Sequence, residues 1–202
     1  MTMEQSTLDR RDVLAALFPD PDRYLLVAGL AGAARDTAAY TSEADNLIAL
    51  GGAMGGAVPM ALGMALSVPG DEVAVITGDG ELLMNIGALA SVASMMPANL
   101  SIVCIDNGRH LETGGQPGHT ARRTNLAVMA DGAGLPSTMT IHGAGELADA
   151  ASFLIESPAP RFLCVRVKPG PPAAYKRDWD LAACRLRFRK AYLDRQGSDR
   201  SA

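Results

Sequence analysis

The sequence predicts an α/β fold: a doubly wound, mostly parallel sheet with helices on both faces. Three observations carry that prediction. Short apolar runs such as YLLVAGL (24–30), VAVIT (73–77) and LSIVCI (100–105) read as strands buried on both sides. They alternate with helix-length segments, the pattern of right-handed β-α-β units whose ligands sit at the carboxyl ends of the strands. Finally, 48% of the residues are apolar but only 4% aromatic, and 21 are glycine, so the layers must close on small side chains.

In order along the chain, Ser6-x-x-Asp9 with Leu8, Val13, Leu14, Leu17 and Phe18 predicts a capped amphipathic helix ending near Pro19. Strand 24–30 is followed by an Ala-rich helix over 31–40 and a weak strand over 47–50. The stretch GGAMGGAVPMALGMALSVPG (51–70) begins as a glycine-rich loop. Pro59 then suits the first turn of a helix to about Ser67, and Pro69-Gly70 is a turn. After strand 73–77 comes a helix over 82–96, stopped by Pro97, and then strand 100–105. Between Asp106 and Thr120 there is no apolar periodicity, and a loop of that length in a compact domain is usually functional. Thr124 can cap a helix over 125–133, followed by strand 137–141, helix 146–156 and strand 162–167. PGPPAA (169–174) breaks the pattern, and a basic helix over about 178–195 closes the chain. Residues 1–202 read as a single domain with that last helix as an appendage, without internal repeats.

Composition excludes several functions. A net charge of −4 argues against a nucleic-acid surface. No apolar run is long enough to span a bilayer, and the polar start MTMEQSTLDRRD is unlike a signal peptide, so a cytoplasmic location is expected. Cys104, Cys164 and Cys184 form no C-x-x-C, which disfavours disulfides, zinc and iron–sulfur clusters; Cys104 and Cys164 sit in apolar runs as core residues.

The chemistry concentrates in 73–116. Gly78-Asp79-Gly80 stands where a strand gives way to a helix, so the Asp79 carboxylate faces the crevice at the strand end. Gly78 and Gly80 let a bulky anion approach the backbone, and the helix start favours that anion. Asn107 occupies the equivalent place after the next strand and offers an amide oxygen. One carboxylate, one amide oxygen and phosphate oxygens suit Mg²⁺ or Ca²⁺ rather than zinc. Taken singly, GDG and Asn107-Gly108 are equally explained as ordinary turns. Their recurrence after consecutive strands, with a glycine-rich loop upstream, favours the site.

Gly78-Asp79-Gly80, a spacer of 26 residues (81–106) and Asn107 together resemble the diphosphate-binding motif of thiamine diphosphate enzymes. GGAMGGAVPMALGMAL, GDGELLMNIGALASVA, LSIVCIDNGRHLETGGQPGHT and the ending LRFRKAYL are similar to the small (beta) subunit of sulfopyruvate decarboxylase and to the C-terminal half of phosphonopyruvate decarboxylase. The similarity runs over roughly residues 10–195. It implies Asp79, Asn107 and the Arg109 carbonyl as Mg²⁺ ligands, and Gly78, Gly80 and the residue at 81 as the diphosphate cradle. It implies Met54 as the apolar prop that bends the cofactor, with the Gly52 carbonyl and Met54 N–H as partners of its aminopyrimidine; plain core packing is the alternative for Met54. Leu111 and Thr113 fall among the implied cofactor contacts, and Glu112 and Gln116 in the loop that borders substrate. His110 and His119 lie in that loop as candidate acids or bases, whereas His142, alone after a strand, reads as structural or solvated. The run Arg185, Arg187, Arg189 and Lys190 reads as a solvated helix face.

One departure stands out: position 81 is Glu where relatives usually carry Ser. A carboxylate there would repel a diphosphate, so Glu81 is expected to turn away or to find a basic partner. The resemblance also implies an activating glutamate from a separate pyrimidine-binding domain, which this chain is too short to hold. The expectation is a beta subunit working with an alpha subunit, in an α2β2 or larger hetero-oligomer, as a carboxy-lyase that turns a small 2-oxo acid into an aldehyde. Carboligation in the same family, the beta subunit of a 2-oxo acid oxidoreductase, and a Rossmann-type nucleotide module are the other readings. The last lacks G-x-G-x-x-G after the first strand.

Overall fold

The computed structural model describes residues 6–199. Residues 1–5, part of the polar start read above against a signal peptide, lie outside them. Six strands form one parallel sheet: β1 (Tyr24–Ala28), β2 (Leu47–Ala49), β3 (Glu72–Gly78), β4 (Leu100–Asp106), β7 (Ser137–Ile141) and β8 (Arg161–Arg166). Their order is β2-β1-β3-β4-β8-β7, every pair parallel. A separate hairpin of β5 (Arg109–His110) and β6 (Gln116–Pro117) lies in the loop that the sequence leaves without periodicity. With helices on both faces, the predicted doubly wound architecture is the observed one.

The central strands are apolar throughout because both of their faces are covered. Leu26, Ala28, Ala74, Ile76, Val103 and Ile105 pack with α1 (Arg10–Leu17), α2 (Ala31–Thr41) and α7 (Leu147–Glu156). Their neighbours Leu25, Val27, Val73, Val75, Ile102 and Cys104 point the other way, to α3 (Ala57–Ser67), α5 (Ala88–Met95) and α6 (Leu126–Ala133). Each Val, Leu or Ile among them, fully buried, stabilises by about 1.5–3 kcal/mol. Cys104 and Cys164 belong to this second layer, and all three cysteines are free.

Local chemistry moves several boundaries. Asp9 caps α1, accepting the Arg11 N–H at 3.1 Å, whereas the Ser6 hydroxyl lies 2.6 Å from the Arg166 carbonyl and 2.7 Å from that of His142, donating to one at a time, and pins the chain to the ends of β8 and β7. Asn125, one residue after Thr124, caps α6 through the Val128 N–H. The helix expected over 82–96 is two pieces, α4 (Asp79–Met84) and α5. Asn85 leaves the helical region at φ −142°, ψ 52°, and its side chain donates to the Gly55 carbonyl at 3.1 Å. A short amide bonding elsewhere in place of the helix is the physical reason for the break, and it ties α4 to the loop that carries Met54.

The last helix, α8 (Leu181–Asp199), starts later than expected because Asp180 accepts the Ala183 N–H at its head. It packs on β2 and adds Phe188 to the core. Part of its basic face is paired: Arg187 lies 3.0 Å from Asp178. Among the described residues no helix is long and apolar enough to cross a membrane.

Candidate functional site

After β1 the chain passes to α2 on one face; after β3 it passes to α4 and α5 on the other. The carboxyl ends of β1 and β3 therefore diverge, which is where open α/β sheets hold ligands. A cleft of about 360 Å³ opens there. Residues 30–33 and 78–81 and Asn107 line it, Met54 and the hairpin residues 109–113 wall it, and Pro172, Arg177 and Trp179 reach it from the strap 169–180.

Asp79 begins α4 and is 4% exposed. The Thr120 hydroxyl lies 3.0 Å from Asp79 Oδ2 and 2.7 Å from Asp106 Oδ1, and its one hydrogen serves one of them at a time. Asp106, at the end of β4, is balanced by Arg166 at 2.6 Å and by the Gly108 N–H. Asp79 has no such cation among the described residues. Burial, and then the charge of Asp106, push its pKa up to about 6, against the Thr120 hydroxyl and nearby N–H groups, which lower it. Gly118 permits this close approach: a Cβ there would stand 3.3 Å from Asp79 Oδ2 and 3.2 Å from the Gly108 carbonyl.

A buried carboxylate facing a second carboxylate and lacking a counter-charge is a place where a divalent cation lowers the energy. Asn107 follows β4, and its Oδ1 accepts the Arg109 N–H at 2.8 Å, which orients the amide and leaves a second lone pair. Among the described residues no cluster of three His, Cys, Asp or Glu could hold a metal. A donor set of one carboxylate with amide and carbonyl oxygens needs none. The residues present therefore fit a hard cation and, with it, an anionic ligand.

Glu81 is 6% exposed and points to the back of the cleft. Its Oε2 accepts the Leu30 N–H at 2.9 Å and the Thr77 hydroxyl at 3.1 Å, and burial raises its pKa. Its partners are a backbone amide and a hydroxyl rather than a base. The carboxylate occupies the space above Gly29 where any Cβ would collide with it. The front of the cleft is left open: a Cβ at Gly78 would meet nothing within 4 Å, and one at Gly80 would meet the His110 ring at 3.2 Å.

His110, Leu111, Glu112 and Thr113 line the cleft, as do Arg109 and Met54, which is 54% exposed on its wall. Glu112 pairs with Arg35 at 3.2 Å. Gln116, His119 and Gly52 are not among the lining residues. Gln116 is exposed and bonds Thr113, His119 is exposed beyond the hairpin, and Gly52 lies beside Met54 with open space around it. Sequence reasoning missed Asp106, Thr120, Arg166 and Gly118 around Asp79, and Arg10, Arg35, Arg177 and Trp179 at the mouth. Asp106 adjoins Asn107 and was within reach; the others come from elements that only the fold brings near.

Residues 30–165 match the family model described as thiamine pyrophosphate enzyme, C-terminal TPP binding domain. The chain belongs to this family. It is similar to the beta subunit of sulfopyruvate decarboxylase from Methanocaldococcus jannaschii, 41% identical over 101 residues, which cover 50% of this chain and 53% of that one. It is also similar to phosphonopyruvate decarboxylase of Streptomyces hygroscopicus, 35% identical over 68% of this chain and 34% of that one. The matched stretch thus spans about half of the first relative and a third of the second. Among solved structures, benzoylformate decarboxylase from Polynucleobacter necessarius superposes with a TM-score of 0.67, at 18% identity, over 86% of this chain and 36% of that one; this likeness concerns the fold.

Proposed function

We propose that the chain is the cofactor-binding beta subunit of a heteromeric, thiamine diphosphate- and Mg²⁺-dependent decarboxylase of a small, acidic 2-oxo acid, sulfopyruvate- or phosphonopyruvate-like, with an aldehyde as product. The observation that carries it is Asp79: a buried carboxylate without a counter-cation, at the strand end of a cleft, inside a thiamine pyrophosphate-binding domain. Relatives named as beta subunits support a partner chain, which would bring the pyrimidine-binding domain and its activating glutamate.

Thiamine diphosphate, when bound, supplies a nucleophilic carbon and an electron sink for loss of carbon dioxide. Asp79 and Asn107, with the Arg109 carbonyl, would hold Mg²⁺. Asp79, facing Asp106 without a cation of its own among the described residues, would be kept ionised by a cation held there. Gly78 and Gly80 leave the backbone open to a diphosphate, and Glu81, turned to Leu30 and Thr77, keeps its charge off that face. Met54, on the cleft wall, would prop the ring system, and the backbone of residues 52 and 54 would meet the aminopyrimidine. His110, whose ring stands over Gly80, would be the group that moves a proton at the reacting centre. Arg35 and Glu112 pair at the mouth of the cleft.

The test is calorimetry of thiamine diphosphate binding to the assembled complex with and without Mg²⁺. Asp79→Ala should abolish the Mg²⁺-dependent component. Unchanged affinity would remove the metal assignment and the site with it.

A further inference from the structure

Arg177 is 4% exposed, yet it is not paired as the other deeply buried arginines are. Arg10 sits on Asp36 at 2.6 Å, and Arg161 reaches Glu72 at 3.7 Å and the Ser101 hydroxyl. Among the described residues no carboxylate lies within ion-pair distance of Arg177. Its Nε is buried without a partner, and Nη2 makes one long contact, 3.4 Å, to the Ala49 carbonyl. Burial lowers the Arg177 pKa; the field of Glu43, whose carboxylate accepts the Asp178 N–H, favours the charged form, and the like charge of Arg35 disfavours it. A guanidinium remains charged under such conditions, and a buried charge left unpaired is costly unless an anion meets it.

The surroundings prescribe that anion. Arg177 lines the cleft, and its central carbon lies over the Trp179 ring, 4.7 Å from the ring centroid, a cation–π contact that helps position the guanidinium. A fixed planar fork with unused N–H groups matches the oxygens of a phosphate, phosphonate or sulfonate. The contact to Ala49 puts Arg177 at the end of β2, two strands from β3 and Asp79, a lateral offset of about 10 Å. A ligand seated beside Asp79 meets Arg177 only by extending across the cleft that both residues line.

We propose that Arg177, carried into the cleft by the strap 169–180 and backed by Trp179, binds a tetrahedral oxoanion of the ligand. That oxoanion belongs either to the far acid group of the 2-oxo acid or to the outer phosphate of the cofactor. The assignment rests on the reading of substrate and cofactor above and goes beyond it by naming the residue that takes the oxoanion.

Trp179 is the one tryptophan of the chain and so reports on this site alone. The full chain, without Mg²⁺, is titrated with phosphonoacetate and with sulfoacetate, followed by tryptophan fluorescence and by calorimetry, with acetate as control. Native chain should respond saturably to both oxoanions. Arg177→Met should weaken them by roughly ten- to hundredfold, the scale of a lost charged hydrogen bond. Arg177→Lys should restore part, with circular dichroism showing both variants folded. In the assembled enzyme, a rise in KM for phosphonopyruvate or sulfopyruvate but not pyruvate, with unchanged thiamine diphosphate affinity, assigns the oxoanion to the substrate. A fall in thiamine diphosphate affinity assigns it to the cofactor. Absence of oxoanion binding by the native chain, or equal binding by folded Arg177→Met, overturns the proposal. Asp79→Asn separates the two readings: it should remove Mg²⁺-dependent thiamine diphosphate binding and leave the phosphonoacetate response intact.

Discussion

The Glu81 carboxylate accepts the Leu30 N–H at 2.9 Å, so a residue in the first turn of α4 is bonded to the residue that caps α2. Two helix starts that face one cleft are thereby locked together, and the lock closes over Gly29, where there is no room for a side chain.

Gly29→Ala should therefore destabilise the chain by about 1–3 kcal/mol, the usual cost of overpacking a buried contact. Gly29→Ala combined with Glu81→Ser should recover part of that loss. Urea unfolding of the four members of the cycle measures it; a coupling energy near zero would show that Gly29 and Glu81 act independently.

Asp79 makes the metal-free chain sensitive to acid in an unusual sense. Its pKa is about 6 in the folded state against 3.8 unfolded, so the folded state binds the extra proton between those values. Stability should fall as pH rises from about 4 to about 6, by an amount on the order of 3 kcal/mol from this group alone. Asp79→Asn should abolish that contribution, and Mg²⁺ with thiamine diphosphate should offset it at neutral pH. Thermal unfolding of native and variant chain across this window is the measurement; parallel curves would contradict it.

The buried pair Arg10–Asp36 holds more than α1 to α2, because Asp36 Oδ1 also accepts the Ala173 N–H of the strap at 2.7 Å. Asp36→Ala strands a buried guanidinium and should cost about 3–5 kcal/mol. Limited proteolysis should then cut within 169–180 faster than in the native chain. Unaltered strap cleavage would separate the pair from the strap.

Met54 is more than half exposed, so its truncation removes little packing. Met54→Ala should change stability by no more than about 0.5 kcal/mol. Turnover of the assembled complex should drop by about tenfold or more, because a loosened ligand loses alignment. A loss of activity that merely tracks a loss of stability would return Met54 to the role of packing residue.

The chain assayed without a partner should show no decarboxylation of sulfopyruvate or phosphonopyruvate at saturating thiamine diphosphate and Mg²⁺. Robust turnover by the single chain would remove the need for a second subunit.

Much of this molecule is legible in one dimension. Buried parallel strands need apolar residues on both faces, so VAVIT and LSIVCI announce themselves, and the residue that follows each strand must face the crevice. That is why Asp79 and Asn107 can be read from spacing. Local competition is harder to read: Asn85 breaks a helix that its neighbours favour, because the Gly55 carbonyl it bonds is 30 positions away. The charge state of Asp79 is harder still. It is decided by Asp106, Thr120 and Arg166, drawn from β4, the hairpin loop and β8, and no periodicity links them. Likewise Glu81 as a sequence letter is a threat to a diphosphate, and only the empty space over Gly29 turns it aside. Arg177 is one basic residue among many until the strap folds back and leaves it buried beside Trp179 without an anion. Pattern determines which backbone positions reach the cleft; electrostatics there depends on distance in space, and that the tertiary structure alone decides.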